Sequence, residues 1–167
     1  MQPSLIQLKT ILLRGVNVWP RPFNAEEDQQ NYNAQGFDFD GVSIMESAQL
    51  IDPPIDDPYL YELVLRVSVR NEEGKKAPYF IDMEVYGAFE IAKNLEIPDN
   101  KEDVVLVNGC AILYGAIREQ VHALSSRSIY GPLILPTVNF LDKRQKNKSN
   151  PIVTEKKQKK RTSKKDF

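Results

Sequence analysis

The chain has 167 residues, 41% of them apolar, enough to bury one core. A single cysteine and a single histidine exclude an internal disulfide and argue against a thiol-ligated metal centre; a reducing, cytoplasmic setting suits that usage. The formal net charge of −1 conceals a division: residues 143–167 hold 11 of the 22 Lys and Arg against Glu155 and Asp166 alone, +9, whereas residues 1–142 carry −10.

In chain order, the opening stretch LIQLKTILLRGVNVW is rich in strand-forming residues but apolar in both phases. Ile6, Leu8, Leu12, Val16 and Val18 fall in one phase, and Leu5, Ile11, Leu13 and Trp19 in the other. A strand covered on both faces is expected, the second face by another subunit. Lys9 and Arg14 lie inside this stretch rather than ahead of it, unlike a secretory signal. A long Pro-bounded connection follows, with Phe23 and Tyr32 set among polar residues; long ordered loops are often functional. GFDFDGVSI then has Phe37 and Phe39 in one phase and Val42 and Ile44 in the other, so a second strand with a bulge or bend at Gly41 is expected.

The middle of the chain has the clearest pattern. Tyr59, Tyr61, Leu63, Leu65, Val67 and Val69 alternate with Glu62, Arg66, Ser68 and Arg70. After the turn NEEGKK, Tyr79, Ile81, Met83, Val85, Phe89 and Ile91 alternate with Asp82, Glu84 and Glu90. Period two on both sides of a turn predicts an antiparallel hairpin with one wet face. Asp99 and Glu102 then form a capping-box pair. Val107, Cys110, Ala111, Tyr114, Ile117, Val121 and Leu124 recur at three- and four-residue steps, predicting one apolar stripe on a helix to about Ser126. The uncharged run Val104–Ile117 has 14 residues, short of a bilayer span, so no membrane insertion is expected.

Catalytic chemistry is hard to build from these residues. Cys110 and His122 lie 12 positions apart. On one helix that is about 18 Å along the axis and about 120° around it, so they cannot act as a nucleophile–base pair. The glycines make no phosphate-binding loop, and Asp52, Asp56 and Asp57 fit a Pro-rich turn. No cofactor and no metal site is implied, and an enzyme is not expected. The Lys-rich end, KKQKKRTSKK, has too little apolar surface to order itself and is expected to be a disordered tail over 143–167, beyond a folded domain over 1–142.

The order of the pieces, four strands and then a long helix, carries a further signal. Cys110 leads to Ile112-Leu113-Tyr114, Arg118-Glu119, Ser126-Arg127, Leu133-x-Leu135 and Val138-Asn139-Phe140. This run, with the hairpin, resembles the protein-export chaperone SecB and its SecB-like relatives over roughly residues 4–140. The resemblance implies an α+β fold: a four-stranded antiparallel sheet packed with one long C-terminal helix. It also implies a cytosolic homotetramer, a dimer of dimers, that holds unfolded polypeptides in apolar surface grooves without ATP. Trp19, Phe23, Tyr32, Phe37, Phe39, Val42 and Ile44 are the groove candidates, because the family's groove draws on that region. Glu84 matches an acidic position that addresses the SecA motor. Two departures weigh against that partner: the first strand reads RGVNVW where carboxylates are expected, and the tail is basic rather than acidic. Members dedicated to one client, such as the antitoxin of a toxin–antitoxin pair, fit as well. Gly109 with Ala116, and Ala111 with Gly115, put small residues on shared helix faces that either form the oligomer interface or pack within the chain. The alternative from another class is a nucleic-acid or ribosome-associated protein using the tail as a polyanion contact.

Overall fold

A computed structural model describes residues 4–23, 33–93 and 100–144. Its elements are β1 (Ile6–Pro20), β2 (Met45–Ile51), β3 (Leu60–Val69), β4 (Tyr79–Ile91), α1 (Lys101–Ser125) and a 3-10 turn at Leu141–Lys143. The strands form one antiparallel sheet in the order β1-β4-β3-β2. This is the α+β arrangement expected, with α1 lying across one face.

The hairpin residues fall as their alternation predicts. Leu63, Leu65, Val67 and Val69 of β3, with Ile81, Met83, Val85 and Phe89 of β4, are fully or almost fully buried against the helix. Asp82, Glu84 and Glu90 occupy the other face, half-exposed. The connecting turn is set by Asn71 and Gly74, both at positive φ. Asn71 bonds the Ala77 N–H and carbonyl through its side chain.

The two-phase pattern of the first strand has a different cause from the one expected. β1 slips register against β4 at Lys9 and again at Arg14. Each β-bulge adds one residue and so inverts the alternation. Ile6 and Leu8, then Ile11 and Leu13, then Val16 and Val18 therefore all pair with helix-facing positions of β4. Both bulge residues carry their cations to the outer face, Lys9 to Glu90 at 2.6 Å and Arg14 to Glu84 at 3.3 Å. Even so, β1 is little covered by its own chain: Leu8, Ile11, Leu12, Leu13 and Val16 are all exposed.

The second strand is not GFDFDGVSI. Gly36 and Gly41 take positive φ and fold that stretch into turns, and the strand is the next segment, Met45–Ile51. Only Val42 keeps a strand-like contact, an isolated bridge to Gly74.

The helix starts on Asn100, whose side-chain oxygen accepts the Glu102 N–H; Asp99 lies outside the described residues. Its buried face is Val104, Val105, Gly109, Cys110, Leu113, Tyr114, Ile117, Val121 and Ser125. Ala111 and Leu124, assigned to the stripe from sequence, are exposed, and Val107 is only half-buried. By length and composition α1 could cross a bilayer, but in this fold that buried face shares the core with the sheet. Gly87 and Gly109 set the distance between the two layers: a Cβ at either would lie 2.7–2.8 Å from a core leucine methyl.

After α1 the chain turns back alongside the helix in an extended path. Ser125 Oγ accepts the Leu133 N–H, Arg118 Nε donates to the Leu135 carbonyl, and Tyr114 Oη donates to the Pro136 carbonyl. Tyr79 Oη donates to the Gly131 carbonyl, and Tyr130 Oη to that of Arg21, tying this segment to β4 and to the end of β1. At the end of this segment Lys143 closes the 3-10 turn and pairs with Glu46 of β2 at 2.5 Å. The remainder of the tail, from residue 145, lies outside the described residues.

Candidate functional site

The returning segment leaves a hollow of ≈ 200 Å³ between itself, the helix and the start of β2. Its walls are Ile44, Val67, Tyr114, Val138 and Phe140, with Glu46 and Asn139 at the rim. The Tyr114 and Phe140 rings meet edge-on at 5.8 Å. Burial, reinforced by the Glu46 carboxylate and opposed by Arg118, pushes the Tyr114 phenol up to about 12. It stays a neutral donor to Pro136 at any ordinary pH. Lys143 is held protonated above its ordinary range, chiefly by its hydrogen bond to Glu46. The cavity is thus mainly apolar, and its one bordering carboxylate is charge-paired.

Of the sequence candidates, Ile44 alone lines this hollow. Phe37 and Phe39 contact each other edge-on at 5.0 Å and, with Val42 and Ile44, pack half-buried against the core. Trp19 lies apart from them. It pairs with Phe80 on the outer sheet face and stacks on that ring at 5.8 Å while keeping 47% of its surface exposed. Phe23, just beyond β1, is 61% exposed. Tyr32 lies outside the described residues. The candidates therefore divide between an outer aromatic pair with Phe23 and an inner loop cluster.

Sequence reasoning missed Val67, Tyr114, Val138 and Phe140 as cavity walls, and the exposed Ile129, Ile134 and Leu141 near them in sequence. One signal was available: buried Leu133 and Leu135 flank exposed Ile134, which is strand alternation.

The small helix residues also divide. Gly109 is buried on Leu63 and Phe89, so its lack of a side chain serves packing within the chain. Ala111 and Gly115 are exposed, with open space around Gly115, and Ala116 is half-buried. Glu84 is half-exposed and paired with Arg14.

Burial raises the Cys110 thiol to about 12, so thiolate is negligible at neutral pH. His122 is exposed in the last turn of α1. Among the described residues no group of three or more His, Cys, Asp and Glu could hold a metal.

The model of the preprotein translocase subunit SecB family matches residues 49–149. The chain belongs to the SecB family. The matched span runs from the end of β2 through the hairpin, the helix and the returning segment. Protein-export protein SecB of Saccharophagus degradans is 32% identical over 88 residues, 52% of this chain and 50% of the relative. Its counterpart from Anaplasma phagocytophilum is 23% identical over 103 residues, 59% and 65% of the two chains. The chain thus spans half to about two-thirds of these relatives. Among solved structures, a SecB-like chaperone of Mycobacterium tuberculosis, in complex with a ChAD peptide from an antitoxin, has the same fold. Its TM-score is 0.50 at 18% identity, covering 80% of this chain and 90% of that one.

Proposed function

We propose that this SecB-family chain is a nucleotide-independent holding chaperone of the cytoplasm. It captures unfolded polypeptide on apolar surface and performs no chemistry on it. The observation that carries this reading is the large apolar surface left in solvent around a completed core: Trp19 and Phe23 at the end of β1, and Ile129, Ile134, Val138 and Leu141 on the segment that also walls the Tyr114–Phe140 hollow. Exposed apolar surface of this extent marks an interaction site. Aromatic and aliphatic walls accept many sequences, and affinity accumulates along an extended client. The client-binding set is Trp19, Phe23, Tyr32, Phe37, Phe39, Val42 and Ile44, extended by Tyr114, Val138 and Phe140.

A homotetramer suits the chain, because other copies would cover the exposed apolar residues of β1 and the small exposed residues of α1. The client is of dedicated-antitoxin or preprotein type. SecA is the weaker partner, since Glu84, Asp82 and Glu90 are matched by Arg14, Arg66 and Lys9. The acidic face therefore offers little free charge to a basic motor. The Lys-rich segment beyond the fold favours a second activity, a salt-sensitive contact with a polyanion such as RNA.

Light scattering of a denatured reporter diluted from guanidinium tests the main reading. Suppression of aggregation at near-stoichiometric chain without ATP is expected. Aggregation unchanged at several-fold excess would refute it.

A further inference from the structure

We propose that Lys75, in the β3–β4 turn, is a positioning residue that holds the loop of groove residues in its binding-competent shape. This inference rests on the client-binding role given above to Phe37, Phe39, Val42 and Ile44.

The loop 36–44 has two positive-φ glycines and no strand ladder of its own, so something outside it must fix its path. Its one isolated bridge runs from Val42 to Gly74, and its neighbour Lys75 bonds it at three levels. The Lys75 N–H donates to the Gly41 carbonyl at 2.8 Å. The ammonium donates to the Asp38 carbonyl at 2.6 Å and to the Asp38 carboxylate at 3.1 Å. The same ammonium lies 4.9 Å from the centre of the Phe37 ring, within cation–π range. Inside the loop, Asp38 Oδ1 accepts the Asp40 N–H and the Phe39 carbonyl accepts that of Val42.

The geometry is tight on the partner side too. A Cβ on Gly74 would stand 2.4 Å from the Gly41 oxygen, so the turn and the loop meet backbone to backbone. One flexible cation thus joins the backbone turn at Asp38 and the face of Phe37, whose ring supports Phe39. A bare surface ion pair contributes little by itself. The effect here comes from preorganisation: when the loop leaves this shape, the competent fraction falls and apparent client affinity falls in proportion.

The test compares the full-length protein with Lys75→Met, which keeps the stem and removes the charge, and Lys75→Arg, which restores it. Two quantities are read: the dissociation constant for fluorescently labelled, reduced and carboxymethylated lactalbumin, and hydrogen exchange at the Val42 and Lys75 amides. Lys75→Met should exchange faster at both amides and bind the probe about 5-fold more weakly. Lys75→Arg should recover both. Faster exchange with unchanged affinity would overturn the positioning role, as would weakened binding with unchanged exchange. A wild-type chain that fails to bind the probe sinks the holding function itself, whereas intact wild-type binding unaffected in Lys75→Met sinks only the clamp.

Discussion

Adding one methyl group at either of two helix glycines, Gly109 and Gly115, should have opposite effects. At Gly109 the new Cβ would sit 2.8 Å from Leu63 Cδ2 and 3.2 Å from Phe89 Cε2, where carbon atoms normally rest about 3.5–4.0 Å apart. Leu63 and Phe89 are fully buried and have little room to withdraw. Overpacking of this kind costs about 1–3 kcal/mol, and replacing a mid-helix glycine by alanine returns about 0.8–1.0 kcal/mol. The net loss for Gly109→Ala is about 1 kcal/mol, or about 2–4 °C in Tm for a chain of this size. At Gly115 nothing lies within 4 Å, so Gly115→Ala should keep the whole gain and raise Tm by a similar amount. Calorimetry or circular-dichroism melts at fixed concentration read both, and sedimentation shows whether assembly is intact. If Gly109→Ala melts higher than wild type, the helix does not approach the sheet as described. If Gly115→Ala folds but dissociates, its open face is an interface in the assembly.

Burial of Cys110 and Tyr114 makes alkaline stability predictable. A group whose folded pKa is raised contributes stability that is complete below its unfolded pKa and lost as pH rises toward the folded one. For Cys110 that window runs from about 9 to about 12, and for Tyr114 from about 10 to about 12. Each group costs up to about 1.4 kcal/mol per pH unit inside its window. Urea midpoints from pH 8 to 11 should therefore fall above pH 9 in the wild type and about one unit later in Cys110→Ser. The same variant should hold client normally. Tyr114→Phe removes the donor to the Pro136 carbonyl and should cost about 1 kcal/mol, with faster amide exchange over residues 136–140. A chain ending at Arg144 keeps the Lys143–Glu46 pair and should bind unfolded client at two salt concentrations as the full chain does. It should lose RNA binding; loss of client binding at both salts would assign the tail to the holding site instead.

The hairpin was legible because both strands alternate cleanly and one face is wholly buried, so propensity, period and burial agree. The start of the sheet was not. Phe37, Phe39, Val42 and Ile44 look like strand residues, but Gly36 and Gly41 impose positive φ and turn them into a loop. The true edge strand, MESAQLI, puts only Ala48 and Leu50 against the core and opposes exposed Glu46 to Val67, which weakens its period. The helix stripe was placed slightly off: the buried face is turned toward Val104, Val105 and Leu113, away from Ala111 and Leu124, and it includes Gly109 and Ser125, which have no apolar side chain to mark them. Ser125 is satisfied by the Val121 carbonyl and the Leu133 N–H. The hollow could not be located from local pattern, since Tyr114 and Val138 are 24 positions apart and meet only because the chain doubles back along α1. Four of its residues, Tyr114, Val138, Asn139 and Phe140, were nevertheless in the motif that marked the family.

The bulges of β1 link register to surface charge. Were Lys9 and Arg14 paired as regular strand residues and not bulged, Ile11 and Leu13 could not share a face with Leu8 and Val16, and the apolar side of the strand would be split. The residues that perform this shift are also those that neutralise Glu90 and Glu84, while Arg66 takes Asp82 through both oxygens. Cancellation of the outer face and continuity of the inner one thus share a cause. A polybasic partner approaching the outer face finds these three carboxylates already engaged, while Leu12 and the Trp19–Phe80 pair give that face exposed apolar surface. On the inner face, Leu8, Ile11, Leu13 and Val16 form one exposed apolar row beside the helix. Both faces therefore carry exposed apolar surface, which supports the holding role proposed above more than a charge-steered docking role.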